Sequence, residues 1–214
     1  MAPVNFKYRR ASLWGGGFLL AAAAALVMFH SALLRNIGIF LVVEETVAEP
    51  VDAVLTWTIN EKVSICYRAG QCKKIYILLE DYQRSWKALR SFDVRGWHLK
   101  NAERLEISKD DLVFINNELG DAVDAGGYLR RLFAEREIRS AILLVPYFQT
   151  RTYRFFLDRN ENWDPDRGRI FIQPLEKDYA EQFDCWWLNT GLDNLYLDQY
   201  LRIGWYYFNK LLLS

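Results

Sequence analysis

The chain has 214 residues, with 27 basic and 27 acidic side chains and therefore no net charge. That balance gives no support for a nucleic-acid partner, which would want a basic patch or stripe. Hydrophobic residues make up 51% and aromatics 15%, enough for a buried core in one ordinary domain.

The first element in chain order is apolar. Leu13–Leu34 (LWGGGFLLAAAAALVMFHSALL) contains no Asp, Glu, Lys or Arg. As a helix it reaches about 33 Å, against a hydrocarbon core of about 30 Å. Lys7, Arg9 and Arg10 precede it, Arg35 follows it, and the first acid is Glu44. The basic bias keeps the N-terminus inside and puts the following domain in the periplasm or exterior. The stretch is long for a cleaved signal peptide, so we expect a retained anchor in an inner (plasma) membrane. The expected organisation is a cytoplasmic terminus (1–12), a transmembrane anchor (13–34), a connector (35–50) and an α/β domain (51–214), with the lipid bilayer as first partner. His30 sits at one end of the span, as an interfacial residue.

Beyond the connector, apolar runs alternate with helical patterns. Strands are predicted at Asp52–Trp57, Lys74–Glu80, Leu112–Asn116, Ser140–Val145 and Arg169–Pro174. Helices are predicted at Glu61–Arg68, Tyr82–Phe92, Asp121–Arg136, Phe148–Asp158 and Asn194–Leu213. Continuously apolar strands separated by helices mean a parallel sheet covered on both faces. The fold class is thus a Rossmann-like, three-layer α/β domain behind one transmembrane helix. Right-handed crossovers put every strand-to-helix loop on one edge, where ligands bind. The loops to inspect are Thr56–Asn60, Glu80–Gln83, Asn117–Asp124 and Pro146–Arg154.

Those loops carry a resemblance. NIGIFLVVEETVAEPVDAVL is similar to an opening in which "G-x-x-L-V-x-E" leads to "A-D-A-I-V-V-L-G-G". CYRAGQCKKIYIL is similar to "L-Y-x-x-G-x-A-x-x-I-L", and GDAVDAGGYLRRLF to a "D-T-x-x-E-A" helix start. SAILLVPYFQTRTYRFF resembles "L-V-T-S-x-Y-H-x-R-R-A", and WW followed by LDQYLRIGWYYF resembles "W-W … E-Y-L-K-L-x-Y-Y". In this order, from about Asn36 to the C-terminus, the chain resembles the SanA/YdcF/ElyC-like envelope-protein family in its membrane-anchored form. The resemblance implies a role in cell-envelope or exopolysaccharide biogenesis, among envelope or polysaccharide-assembly proteins.

The departures from that pattern concern chemistry. Thr56, Trp57 and Thr58 stand where the family has glycines that bring backbone N–H groups close to an anion. Glu80 and Asp81 stand in place of a glycine. Asp121 matches, whereas Ala122 replaces Thr and Asp124 replaces Glu. Gln149 replaces the family histidine, Arg151 is kept, Thr152 replaces the second arginine, and Gln199 replaces a glutamate. A glutamine cannot serve as general acid or base near neutral pH. The candidate ligand-binding residues are therefore Thr58, Glu80, Asp81, Asp121, Asp124, Gln149 and Arg151. No catalytic residue and no cofactor is assigned. Arg151 has a plainer reading as the partner of a nearby carboxylate.

Other signals are weaker. DRNENWDPD (Asp158–Asp166) alternates oxygens like a calcium loop, but Trp163 and Arg169 stand where Gly and Glu are needed, so it reads as a polar turn. Three cysteines and two histidines without Cys-x-x-Cys supply no zinc set, and no metal is expected. Cys66 and Cys72 are either a disulfide of an exported domain or buried thiols. Trp186, Trp187, Trp205, Tyr206 and Tyr207 are core aromatics, a carbohydrate platform or membrane-interface residues. His98 lies in a stretch read as irregular, RGWHLKN. Three functions follow: a polar-ligand-binding envelope protein, a hydrolase or transferase on an envelope precursor centred on Asp121, Asp124 and Arg151, and a scaffold for membrane partners.

Overall fold

The computed structural model describes residues 30–79, 93–116, 122, 125–159, 168–176, 186 and 191–213. Strands β1 (Val51–Thr56), β2 (Cys72–Leu79), β3 (Leu112–Asn116), β4 (Ser140–Val145) and β5 (Arg169–Pro174) form one sheet in the order β3-β2-β1-β4-β5. Every pairing is parallel, with Leu55 of β1 opposite Tyr76 on one side and Leu143 on the other. All five predicted strands are present, within two residues of their expected bounds.

Alternation along the strands separates two apolar faces. Ala53, Leu55, Tyr76, Leu78, Ala141, Leu143 and Val145 point to one layer. That layer is covered by Leu129, Leu132 and Phe133 of α4 (Ala125–Arg136) and by Phe156 and Leu157 of α5 (Thr150–Arg159). Val54, Ile75, Ile77, Ile142 and Leu144 point the other way, under Val63 and Cys66 of α2 (Glu61–Arg68) and Ala102 of α3 (Val94–Arg104). The α/β, parallel, three-layer expectation is met. Burying a Leu or Ile side chain contributes about 2 kcal/mol, so both layers are needed to hold the sheet.

Local chemistry sets the helix ends. Asn60 accepts from the Val63 N–H at 3.1 Å at the start of α2, while its own amide donates to the Leu175 carbonyl at 2.8 Å. Gly70 ends that turn at φ +68°, in the left-handed region open to glycine. Asp93 accepts from Gly96 N–H at 2.9 Å and starts α3. This helix includes the RGWHLKN stretch read as irregular; its only buried residues are His98 and Ala102, so its apolar periodicity is faint. The fourth predicted helix starts two residues late. A 3-10 turn, Tyr147–Gln149, follows β4 before α5 begins. The predicted helix Tyr82–Phe92 lies outside the described residues.

Residues 30–40 form α1, and the expected connector is packed against the domain. Leu41 is fully buried with Tyr147, Phe148, Trp186 and Tyr196. Glu45 then docks on β5. Its N–H donates to Ile172 O at 3.1 Å, its carboxylate accepts from Ile172 N–H at 2.6 Å, and Gln173 Nε2 donates to its carbonyl at 2.9 Å. Arg154 of α5 completes the site at 3.1 Å from the Glu45 carboxylate. Residue 45 therefore occupies backbone groups of an edge strand that would otherwise be open.

Of the expected span Leu13–Leu34, residues 30–34 are described and are helical; the rest lies outside the described residues. Among the described residues no helix is long and apolar enough to cross a membrane. The final helix, α6 (Leu192–Leu213), has 22 residues but a mixed surface.

Glu45→Ala removes the acceptor of the Ile172 N–H and the Arg154 partner together. We expect urea unfolding to show a loss of about 2 kcal/mol. Glu45→Gln, which keeps an acceptor, recovers part of it. Wild-type stability in the alanine variant would contradict the docking of this segment on β5.

Candidate functional site

The helices after β1 and β4 leave the sheet on opposite faces, α2 in one layer and α5 in the other. These two strands are neighbours, so the chain order reverses between them and their following loops part. The crevice of such a sheet opens outside the carboxyl ends of those strands. The segments that leave those two strand ends are Thr56–Asn60 and Pro146–Arg151.

On the β1 side, the buried Thr56 hydroxyl donates to Thr58 O at 2.8 Å and lies 3.2 Å from Thr58 N–H, closing a tight turn. The turn aims Trp57 towards α5, where its ring meets Tyr153 edge-on at 6.3 Å and packs on the adjoining core layer. A ring thus occupies the place that a glycine would leave open. Its indole Nε1 is buried, with no hydrogen-bond partner among the described residues. The Thr152 hydroxyl at the head of α5 is in the same condition, on a fully buried side chain.

On the β4 side, the Tyr147 N–H donates to the Glu176 carboxylate at 3.0 Å. Thr150 Oγ1 takes the Val43 N–H at 2.7 Å and lies within 3.1 Å of Leu41 O. Arg151 donates from its backbone to Leu41 O at 3.0 Å and from Nε to Phe40 O. Its guanidinium lies 4.3 Å from the centre of the Phe40 ring. Among the described residues Arg151 thus binds a carbonyl and a ring rather than the carboxylate of the ion-pair reading. Its visible work is to hold α1 against α5.

The structure places Thr58 in the turn after β1, Gln149 in the 3-10 turn after β4 and Arg151 in the first turn of α5. Gln149 is half-buried at the end of the 3-10 turn, with its N–H on Pro146 O at 2.8 Å. Glu80, Asp81, Asp121 and Asp124 lie outside the described residues, as do Asp164, Asp166 and Trp187. Gln199 is buried on α6, donating to Asp198 at 3.2 Å. Among the described residues no group of His, Cys, Asp and Glu side chains is placed to hold a metal.

Sequence reasoning missed Glu176, because a carboxylate that caps a distant turn leaves no local pattern. It also did not link the aromatics. Trp186 stacks on Tyr196 at 4.4 Å, Tyr196 meets Phe148 at 5.9 Å and Tyr147 at 6.1 Å, and burial pushes both phenols up. Trp186 Nε1 donates to Leu34 O at 2.8 Å, and Tyr200 donates to Ile37 O at 2.5 Å. The core reading therefore holds for Trp186, and for Tyr206, which packs on Phe155 at 5.2 Å. It fails for Trp205 and Tyr207, which are exposed.

Away from the crevice, Cys66 and Cys72 are buried free thiols in mutual contact. The hydrogen bond from Cys72 holds Cys66 down, and the same bond with burial pushes Cys72 up. A recess of about 500 Å³ opens at the β3 edge between Arg95, Phe114, Tyr128 and Arg136, off the switch point. His98 is buried between Trp97 and Phe114, at 4.8 Å and 6.2 Å, and burial pushes its imidazole down to about 4.

A scan of protein-family models and a search of the curated proteins find no match to this chain.

Two outcomes follow. Arg151→Ala should lower stability by about 1–2 kcal/mol, through loss of the Phe40 contacts. Arg151→Lys should regain little, because an ammonium cannot lie flat on the ring while donating from Nε. A wild-type melting temperature in the alanine variant would remove the clamp. For His98 the folded pKa is below the unfolded one. The unfolded chain takes up the proton first, so stability falls as pH drops from about 6.5 towards about 4. His98→Phe should flatten that part of the stability–pH curve, and an unchanged slope would show another group titrating there.

Proposed function

We propose that this chain is a membrane-anchored protein of cell-envelope or exopolysaccharide biogenesis, held by Leu13–Leu34 with its α/β domain in the periplasm or exterior. Its crevice binds a polar ligand without turning it over. The envelope setting rests on the resemblance to the SanA/YdcF/ElyC-like family and on the uncharged run flanked by Lys7, Arg9 and Arg10.

One observation carries the binding part. Thr56–Asn60 and Pro146–Thr150 themselves contain no carboxylate, imidazole, thiol or amine, and the neighbouring Glu176 carboxylate accepts the Tyr147 N–H, yet Trp57 Nε1 in the first stretch and the Thr152 hydroxyl just past the second are buried without partners among the described residues. A buried polar atom left unpaired costs about 1–3 kcal/mol, and a ligand that pairs with it recovers that cost. Donors without a proton-transfer group suit recognition better than acid–base catalysis. The rival reading, a hydrolase or transferase, would draw its acids from Asp121 and Asp124.

Native mass spectrometry of the full chain, released from detergent micelles, tests the reading beside Thr152→Val. The valine keeps the volume and removes the hydroxyl. The expected result is a small molecule carried by the wild type and lost by the variant. An empty wild type, with a variant more stable by about 1 kcal/mol, would mean that the hydroxyl is merely tolerated. That result would overturn the binding role. A reporter fused after Ser214 should be active outside the cytoplasm, and cytoplasmic activity would overturn the topology.

A further inference from the structure

Helix α6 buries one side and leaves the other bare. Tyr196 and Gln199 face inward, and Tyr206 packs on Phe155 and Phe156. Leu197, Leu201, Trp205, Phe208 and Leu212 recur at spacings of three and four, which places them in one stripe. They are exposed, Leu201 at 70%, Trp205 at 62% and Leu212 at 68%. Around Leu201, Trp205 and Phe208 the surface forms a shallow apolar recess. Single exposed leucines need no explanation, but a contiguous apolar band on a soluble surface does.

The position of the band says what covers it. The uncharged run ends at Leu34, inside α1, and α1 is joined to α6 through Trp186 on Leu34 and Tyr200 on Ile37. Phe40, half exposed, stacks on Tyr200 at 6.0 Å and connects the two helices at the surface. Leu34 and Phe40 are about 9 Å apart along a helix, so the stripe starts one short step from the end of the apolar run. A bilayer that held Leu13–Leu34 would be presented to α6 at high effective concentration, and a modest apolar contact would then suffice. The composition of α6 fits the lipid interface. Arg202 borders the stripe, Trp205 within it carries a polar indole N–H, and Asp193, Asn194 and Asp198 cluster near its N-terminal end. It is not apolar enough to cross a membrane, so the fit is to the surface.

We propose that the exposed face of α6, Leu197, Leu201, Trp205, Phe208 and Leu212, lies in the lipid interface of the bilayer that anchors the chain. This rests on the anchor in the function proposed above. The domain is then held to the membrane at two places, by its N-terminal helix and flat along its C-terminal one.

The test uses the full chain in its native membranes, with p-benzoylphenylalanine in place of Leu201 or of Leu212, and in place of Lys109 as a control on the other layer. Both leucines are exposed, so neither replacement disturbs the core. Carbonate extraction comes first. A chain that leaves the membrane overturns the anchor and this inference together. If it stays, irradiation should give phospholipid adducts by mass spectrometry at Leu201 and Leu212 and none at Lys109. Retention without lipid adducts at the two leucines, whether they couple to a second copy, to another protein or to nothing, overturns the inference and leaves the anchor standing.

Discussion

A parallel sheet of apolar strands must be covered twice, and the way this chain does so decides the position of everything else. Val54, Ile75 and Ile142 need one layer of helices; Leu55, Leu78 and Leu143 need the other. The chain covers the first layer with the helices after β1 and β2, and the second with those after β3 and β4. The change of side falls between β1 and β4, and a crevice results from the covering itself. What a particular sequence does with that crevice is a separate matter. Here a tryptophan enters it where backbone N–H groups could have faced a ligand, and beside it Thr56, Thr58 and Gln149 offer hydrogen-bonding groups while the Glu176 carboxylate accepts the Tyr147 N–H.

The same economy explains the segment before the sheet. β5 is an edge, and an open edge pairs with whatever strand it meets. Glu45 occupies it with three hydrogen bonds around Ile172 and Gln173 and an ion pair to Arg154. Asp52 does related work inside the sheet, accepting from Arg139 N–H at 3.0 Å and Ser140 N–H at 3.2 Å where β4 begins. Its partner Lys73 and these two N–H groups hold the carboxyl below its usual range.

Strands were easier to read in the sequence than the site, and the reason is physical. A buried parallel strand needs a run of apolar residues, which Ser140–Val145 and Val51–Thr56 display without help from elsewhere. Helix α3 buries two residues, so its pattern is mostly surface, and only the Asp93 cap marks its start. Thr58 and Gln149 could be assigned to loops from order alone. The work of Arg151 could not, because its partner Phe40 is 111 positions away. Glu176 and the Leu34 partner of Trp186 escape a sequence reading for the same reason: Tyr147 and Leu34 are distant in the chain from the groups they meet and carry no motif.

Arg151 also links the β4 loop to α1. The loop after β4 is gripped on one side by Glu176 and on the other by Leu41, Val43 and Phe40. The helix that supplies Phe40 includes residues 30–34 of the uncharged run. Phe40 of α1 thus touches Arg151, Leu41 and Val43 just after it touch Thr150, and Tyr153 one half-turn on meets Trp57. Substituting Arg151 disturbs the packing of α1 and the β4 loop together, whereas Thr152→Val alters one buried hydroxyl and leaves the clamp intact. A polar pair at the head of α5 and an apolar stripe on α6 thus report on different halves of one arrangement, in which the residues that close the crevice are those that hold the domain to the helix leading into it.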